Sequence, residues 1–269
     1  FTTGGYISAP TIIASKLLNI PVIIHESNLV PGTVTKYFGR LTNRVLTGFR
    51  ETNFYLPNCK TLFTGTPIRN QFYIHNRLPK WVPLGSGPLI LIMGGSQGAK
   101  GINELIQDSL ELLLKNNIRI VHILGNNKKI NLNIQNFNKY LQIDFTNEIA
   151  ALMQNCDLVI SRSGAGTINE LIKTKKPSIL IPFPNSKNDH QERNANILSE
   201  IGGSIIINQN KSSKSYLKKT LKRLFNLDAK LQKRKYSNLE IMKKNMSKFN
   251  NKNPREEVER IIYSYLKDF

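Results

Sequence analysis

The sequence predicts a doubly wound α/β protein with parallel sheets. Three observations carry this: short all-apolar runs such as Leu89–Met93, glycine turns directly after them, and helices of 3.6-residue periodicity after the turns. Strands buried on both faces read as continuous apolar runs, and parallel strands need helical crossovers. The 269 residues suit two domains, and 40% hydrophobic content suffices for their cores. No apolar run approaches membrane-spanning length, and no signal peptide is expected. Two cysteines, Cys59 and Cys156, exclude a disulfide framework and suit a reducing compartment. The formal charge of +20 admits an anionic partner. It concentrates in 211–252, yet no RNA-binding signature accompanies it, so solvated helix faces rank ahead of a membrane surface and nucleic acid comes last.

In chain order, Gly4-Gly5 turns into a helix predicted to bury Ile12, Ile13, Leu17 and Leu18. Pro21–Ile24 is a strand ending at His25-Glu26-Ser27-Asn28, where the crevice of an open sheet lies. Glu26 is the better candidate for a polar role toward substrate, with His25 fixing the loop. A helix over 34–41 and strands at 45–46 and 61–63 follow, then Gly65–Arg69, where Arg69 could clamp a phosphate or simply lie at the surface. Residues 76–87, rich in Pro and Gly, read as a linker after a first domain over 1–75.

The second domain, 88–252, opens with strand 89–93 and the turn Gly94-Gly95-Ser96-Gln97-Gly98 before a helix burying Ile102, Leu105, Ile106, Leu110 and Leu113. Strand, glycine turn and helix make a phosphate cradle of backbone N–H groups and the Ser96 hydroxyl. The next strand, 118–124, ends in Gly125 rather than the acid that would hold an NAD ribose, which argues against a dehydrogenase. Helices at 134–140 and 147–154, with a strand at 142–143, lead to a strand at 157–160. Ser161–Glu170 then repeats the turn-to-helix device. Gly164 and Gly166 admit close backbone approach, and Glu170 lies one turn beyond Gly166 on the same helix face. A carboxylate there suits the hydroxyls of a ribose attached to a bound phosphate; the alternative is a partner for the helix dipole. Strand 178–181, the loop ending at Asp189-His190-Gln191, strand 204–207 and basic helices complete the unit. A last helix over 253–269 is expected to return to the first domain.

Six motifs in one order resemble the MurG family of bacterial peptidoglycan N-acetylglucosaminyltransferases: Gly4–Pro10, His25–Asn28, Gly65–Arg69, Gly94–Ala99, Ser161–Glu170 and Asp189–Gln191. The resemblance spans essentially the whole chain. It implies a GT-B architecture, two Rossmann-like domains with a cleft between them. It also implies inverting transfer of GlcNAc from UDP-GlcNAc to the C4 hydroxyl of undecaprenyl-diphosphate-linked MurNAc-pentapeptide, at the cytoplasmic face of the plasma membrane. By matched position Glu170 looks like the ribose ligand, Ser96 and Arg69 like contacts to phosphate or nearby sugar, and Gln191 like a GlcNAc contact. Backbone near Thr146 is expected to meet the uracil, and Asn28 to reach the donor from the first domain. The helix starts would stabilise the leaving UDP by fixed dipoles, so neither metal nor cofactor is demanded. Gly166 stands where the family often has a larger aliphatic residue, which is expected to leave the helix start intact. The family's earlier glycine turn ending in a general-base His has no match, and roughly 100 residues usually make a Rossmann domain. The first domain is therefore expected to be truncated, leaving Glu26 as the catalytic candidate. A different UDP-sugar enzyme of the same architecture, such as an epimerase, or a non-catalytic UDP-sugar-binding module are the competing readings.

Overall fold

The computed structural model describes residues 1–95, 100–126, 130, 137–184, 186, 189–209, 214–227, 238–249 and 253–266. Two parallel sheets are present. The first has three strands in the order β1 (Ile23–Glu26), β2 (Arg44–Thr47) and β3 (Thr61–Phe63). A parallel bridge from Thr2 to Ile24 extends it. The second has six: β4 (Leu89–Met93), β5 (Arg119–Ile123), β6 (Tyr140–Ile143), β7 (Leu158–Ser161), β8 (Ser178–Leu180) and β9 (Ser204–Ile206). Their spatial order is β6-β5-β4-β7-β8-β9, so the chain winds one way from β4 and then the other. The order reverses between β4 and β7, which places a crevice at their carboxyl ends.

Helices alternate with strands as the apolar spacing predicts. On the first sheet lie α1 (Ser8–Leu17) and α2 (Thr33–Phe38). The second carries α3 (Lys100–Lys115), α4 (Ile149–Asn155), α5 (Ala165–Thr174), α6 (His190–Glu200), α7 (Lys214–Leu224) and α8 (Asn238–Met246). In α3 all five apolar positions named from periodicity are buried. In α7 the face Leu217, Leu221 and Leu224 is buried while Lys219 and Arg223 face solvent. The last helix, α9 (Pro254–Leu266), packs Val258 and Ile261 against Ile23 and Leu46 of the first sheet.

Three details differ from expectation. In α1 only Ile12 of the four named residues is buried; Ile13, Leu17 and Leu18 are exposed, Leu17 by 79%. Apolar residues surround this helix on several sides, so composition did not single out its inward face. The helix expected to reach Leu41 stops at Phe38 and tightens to a 3₁₀ turn over Gly39–Leu41, closed by Thr42 Oγ1 donating to the Gly39 carbonyl at 2.7 Å. The helix expected over 134–140 lies outside the described residues up to 136. Its described end is a 3₁₀ turn, Phe137–Lys139, with Tyr140 already in β6.

The Pro- and Gly-rich stretch 76–87 is packed rather than loose. Val82 is buried, the Trp81 indole donates to Glu148 at 2.6 Å, and Arg119 donates to the carbonyls of Gly87 and Pro83. A Cβ on Gly87 would stand 1.7 Å from the Asn117 carbonyl oxygen, so only glycine fits there.

A buried polar relay ties α3 to β5 and β6. His122 meets the Tyr140 hydroxyl through Nδ1 and Asn103 Oδ1 through Nε2, both at 2.9 Å. Asn103 Oδ1 can only accept, so Nε2 carries a proton. Burial lowers the His122 pKa to about 4. The unfolded chain therefore binds the extra proton first, and stability is full above about pH 6.5 and falls as pH drops toward about 4. The loss expected from this residue is about 3 kcal/mol. Urea denaturation at pH 7 and pH 4.5 checks it: His122→Gln is expected to be less stable at pH 7 and to lose less on acidification.

Candidate active site

The site grows from the crevice between β4 and β7. After β4 the chain turns at Gly95, whose φ of +89° favours glycine and beside which an added Cβ would meet nothing within 4 Å. Ser96, Gln97 and Gly98 lie outside the described residues. After β7, Gly164 caps the ten-residue α5 with extended backbone and no side-chain hydrogen bond. A Cβ on Gly164 or Gly166 would again meet nothing within 4 Å. Among the described residues no side chain caps the first N–H groups of α5, which lie at a positive dipole end beside open space at Gly164 and Gly166, an arrangement suited to an anion.

Glu170 sits on α5 and is 9% exposed. Its Oε1 accepts from Arg69 Nη2 at 2.8 Å and Nε at 3.2 Å. Arg69 follows β3, so this ion pair joins the two halves of the molecule across the cleft. Burial pushes the Glu170 carboxyl above its ordinary pKa, and Arg69 opposes that shift. Glu170 lies beyond the first turn of α5, too far along to act chiefly on the helix dipole. Among the described residues its Oε2 has no partner, so one oxygen remains for an incoming hydroxyl.

A second connection runs through Asn194 of α6, which is fully buried. Its Oδ1 accepts from Leu29 N–H at 3.0 Å; its Nδ2 donates to Asn28 Oδ1 at 3.2 Å and to the Ser163 carbonyl at 3.4 Å. Asn28 is thereby held against the loop that starts α5. Sequence reading missed Asn194. Its signal was a polar residue on the apolar face with Ala195 and Leu198.

Glu26 is held by its own loop. Its Oε1 accepts from the N–H and Nδ2 of Asn28, and its Oε2 from Gly32 N–H at 2.8 Å. The buried carboxylate folds its own loop and positions Asn28, because backbone donors within six residues capture both oxygens. His25 is buried too. Its Nε2 meets the Gly65 carbonyl at 2.9 Å, and burial lowers its pKa. It braces the segment that carries Arg69.

Gln191 opens α6 beside the same crevice. Its side-chain carbonyl accepts from Phe183 N–H at 2.9 Å, and its backbone carbonyl accepts from the Ser163 hydroxyl at 2.7 Å. Arg162, also missed, stitches the loops after β7, β8 and β9 by donating to the carbonyls of Ile181 and Pro182 and to Gln209 Oε1. Thr146 lies at the far end, after β6; its Oγ1 accepts from Glu148 N–H at 3.0 Å, and the neighbouring Phe145 ring is 70% exposed. Arg69 and Glu170 therefore meet in one ion pair, and Asn28 and Gln191 are tied to Ser163 in the loop before α5, Asn28 through Asn194 and Gln191 directly, while Thr146 follows β6 and Glu26 holds Asn28.

Two parallel α/β bodies, with an uncapped helix start at a switch-point crevice and an ion pair between them, define a two-body doubly wound protein with a ligand crevice at its strand ends. Residues 89–251 match the glycosyltransferase family 28 C-terminal domain, and residues 1–47 match its N-terminal domain. A protein of Prochlorococcus marinus strain MIT 9312 is 61% identical over 269 residues, covering 100% of this chain and 74% of that protein. It is named UDP-N-acetylglucosamine–N-acetylmuramyl-(pentapeptide) pyrophosphoryl-undecaprenol N-acetylglucosamine transferase, as is a 63% identical relative from strain MIT 9301. Among solved structures, Acinetobacter baumannii MurG superposes with a TM-score of 0.73 at 26% identity, covering 97% of this chain and 73% of that one. A putative UDP-N-acetylglucosamine 2-epimerase from Listeria monocytogenes, TM-score 0.66 at 13% identity, shares the fold. The chain belongs to glycosyltransferase family 28, in its MurG branch.

Proposed function

We propose that this glycosyltransferase moves GlcNAc from UDP-GlcNAc to the C4 hydroxyl of undecaprenyl-diphosphate-linked MurNAc-pentapeptide, inverting the anomeric centre. The observation that carries the reading is whole-chain identity above 60% to transferases named for that donor and acceptor. The crevice supplies the chemistry. The open N–H groups of α5 take negative charge developing on the leaving diphosphate, with no proton to move at that end. Glu170 accepts from the ribose hydroxyls through its unpaired oxygen, and Arg69, held beside it, adds a cation near the phosphates. Asn28 and Gln191 face the sugar from opposite sides, and the loop at Thr146 takes the base. Glu26, with both oxygens accepting hydrogen bonds, orients Asn28, and the C4 proton passes to solvent water as the acceptor oxygen bonds to the anomeric carbon and the bond to UDP breaks. Incubation with UDP-GlcNAc radiolabelled in the sugar and a short-chain lipid-linked MurNAc-pentapeptide tests the reading. Label appearing in the lipid product supports it; label released only as free GlcNAc, or retained in UDP-GlcNAc, contradicts it.

A lipid-anchored acceptor supports a location of the enzyme at a membrane surface. Among the described residues no helix is long and apolar enough to cross one. Exposed Ile7, Leu17 and Leu18, with Lys16 on the same helix, support peripheral attachment through α1. Each Lys or Arg near an anionic surface contributes about 1 kcal/mol, screened by salt. Cosedimentation with phosphatidylglycerol vesicles is expected at low salt, weakening at high salt and with Leu17→Ser. Equal binding to phosphatidylcholine vesicles would contradict the proposal.

A further inference from the structure

A cavity of about 640 Å³ lies between the two bodies, within the range of small-molecule sites. None of the donor-site residues above lines it. Both passages of the chain between the bodies do: Thr64–Ile68 leaving β3, and Lys248, Phe249 and Pro254 leading into α9. The two passages touch, since a Cβ on Gly65 would lie 2.9 Å from the Pro254 ring. A ligand here would therefore bear on whatever movement the bodies make about these crossings.

The lining states a chemistry. Phe49, Phe63, Ile172 and Phe249 provide apolar walls. Arg50 lies over the Phe63 ring at 4.7 Å, and Lys173 over the Tyr73 ring at 4.4 Å. With Lys248 these make three cations against Glu51 and Glu257, and Glu257 is already paired with Arg260. The Thr66 hydroxyl is buried in the wall with no hydrogen-bond partner among the described residues.

We propose that this cavity binds a small soluble amphiphile with a flat apolar body and one anionic group, and that its occupancy is coupled to donor binding through the two interdomain crossings. The anion pairs with Lys173 or Lys248, and the body stacks among the phenylalanines. The coupling arm alone rests on the donor reading above.

The probe is 8-anilinonaphthalene-1-sulfonate, followed by fluorescence and calorimetry on the full chain. Two variants address the site without touching the donor crevice: Leu62→Trp, which fills the cavity from an exposed edge strand, and Lys173→Gln, which removes a cation. One saturable site is expected, weakened about tenfold or more in each variant while the circular dichroism spectrum stays unchanged. Absent saturation, or unaltered affinity in both folded variants, overturns the site. Saturating probe is expected to change UDP-GlcNAc affinity about fivefold or more, reciprocally. Unchanged UDP-GlcNAc affinity overturns the coupling, whereas failure of UDP-GlcNAc to bind even without probe counts against the donor reading and leaves the probe result standing.

Discussion

Replacing Glu170 by alanine is expected to weaken UDP-GlcNAc binding by about 1.5–3 kcal/mol, roughly 10- to 150-fold, the scale of a hydrogen bond to a charged group. Two effects add. The ribose hydroxyls lose their acceptor, and Arg69 loses the carboxylate that holds it across the cleft. Arg69 is more than half exposed at its side chain, so the pair contributes little to stability, and the fold should persist. Glu170→Gln separates the effects, because the amide oxygen still accepts while the ion pair is gone. Binding intermediate between wild type and alanine is expected from titration calorimetry. A folded alanine variant that binds as tightly as wild type would sink the ribose assignment.

The second large effect concerns Asn194→Leu. Leucine is close in size but can neither accept from Leu29 N–H nor donate to Asn28 and Ser163. One buried backbone donor is left unpaired, at a cost of about 1–3 kcal/mol. The junction between Asn28 and the α5 loop is released with it, so kcat is expected to fall more than stability alone explains. Urea denaturation together with kcat and KM makes the comparison. Unchanged kcat in the folded variant would mean that Asn194 merely fills the core.

What was legible in the sequence follows from range. Strand β4 was legible because Leu89–Met93 is buried at every position, and a five-residue apolar run before two glycines has few other uses. The open start of α5 was legible because Gly164 and Gly166 are local facts about backbone and space. The Arg69–Glu170 pair joins residues 101 positions apart, and no local pattern announces it. Asn194 was hidden for the same reason, its partners Asn28 and Leu29 lying some 165 residues earlier. Glu26 at a strand end was legible, whereas the hydrogen bonds to both its oxygens depend on the loop's final conformation. In α1 the apolar content was real but its direction was not, since Leu17 and Leu18 face outward.

We propose that the crevice between β4 and β7 is a UDP-GlcNAc site built from α5, Glu170 and Arg69. Titration calorimetry of the chain with UDP-GlcNAc, UDP-glucose and UDP-GalNAc, repeated with Glu170→Ala, tests it most directly. One saturable site is expected, tightest for UDP-GlcNAc and weakened for all three sugars by the substitution, because the ribose is common to them. No binding of UDP-GlcNAc, or binding that Glu170→Ala leaves untouched in a folded protein, would contradict the account.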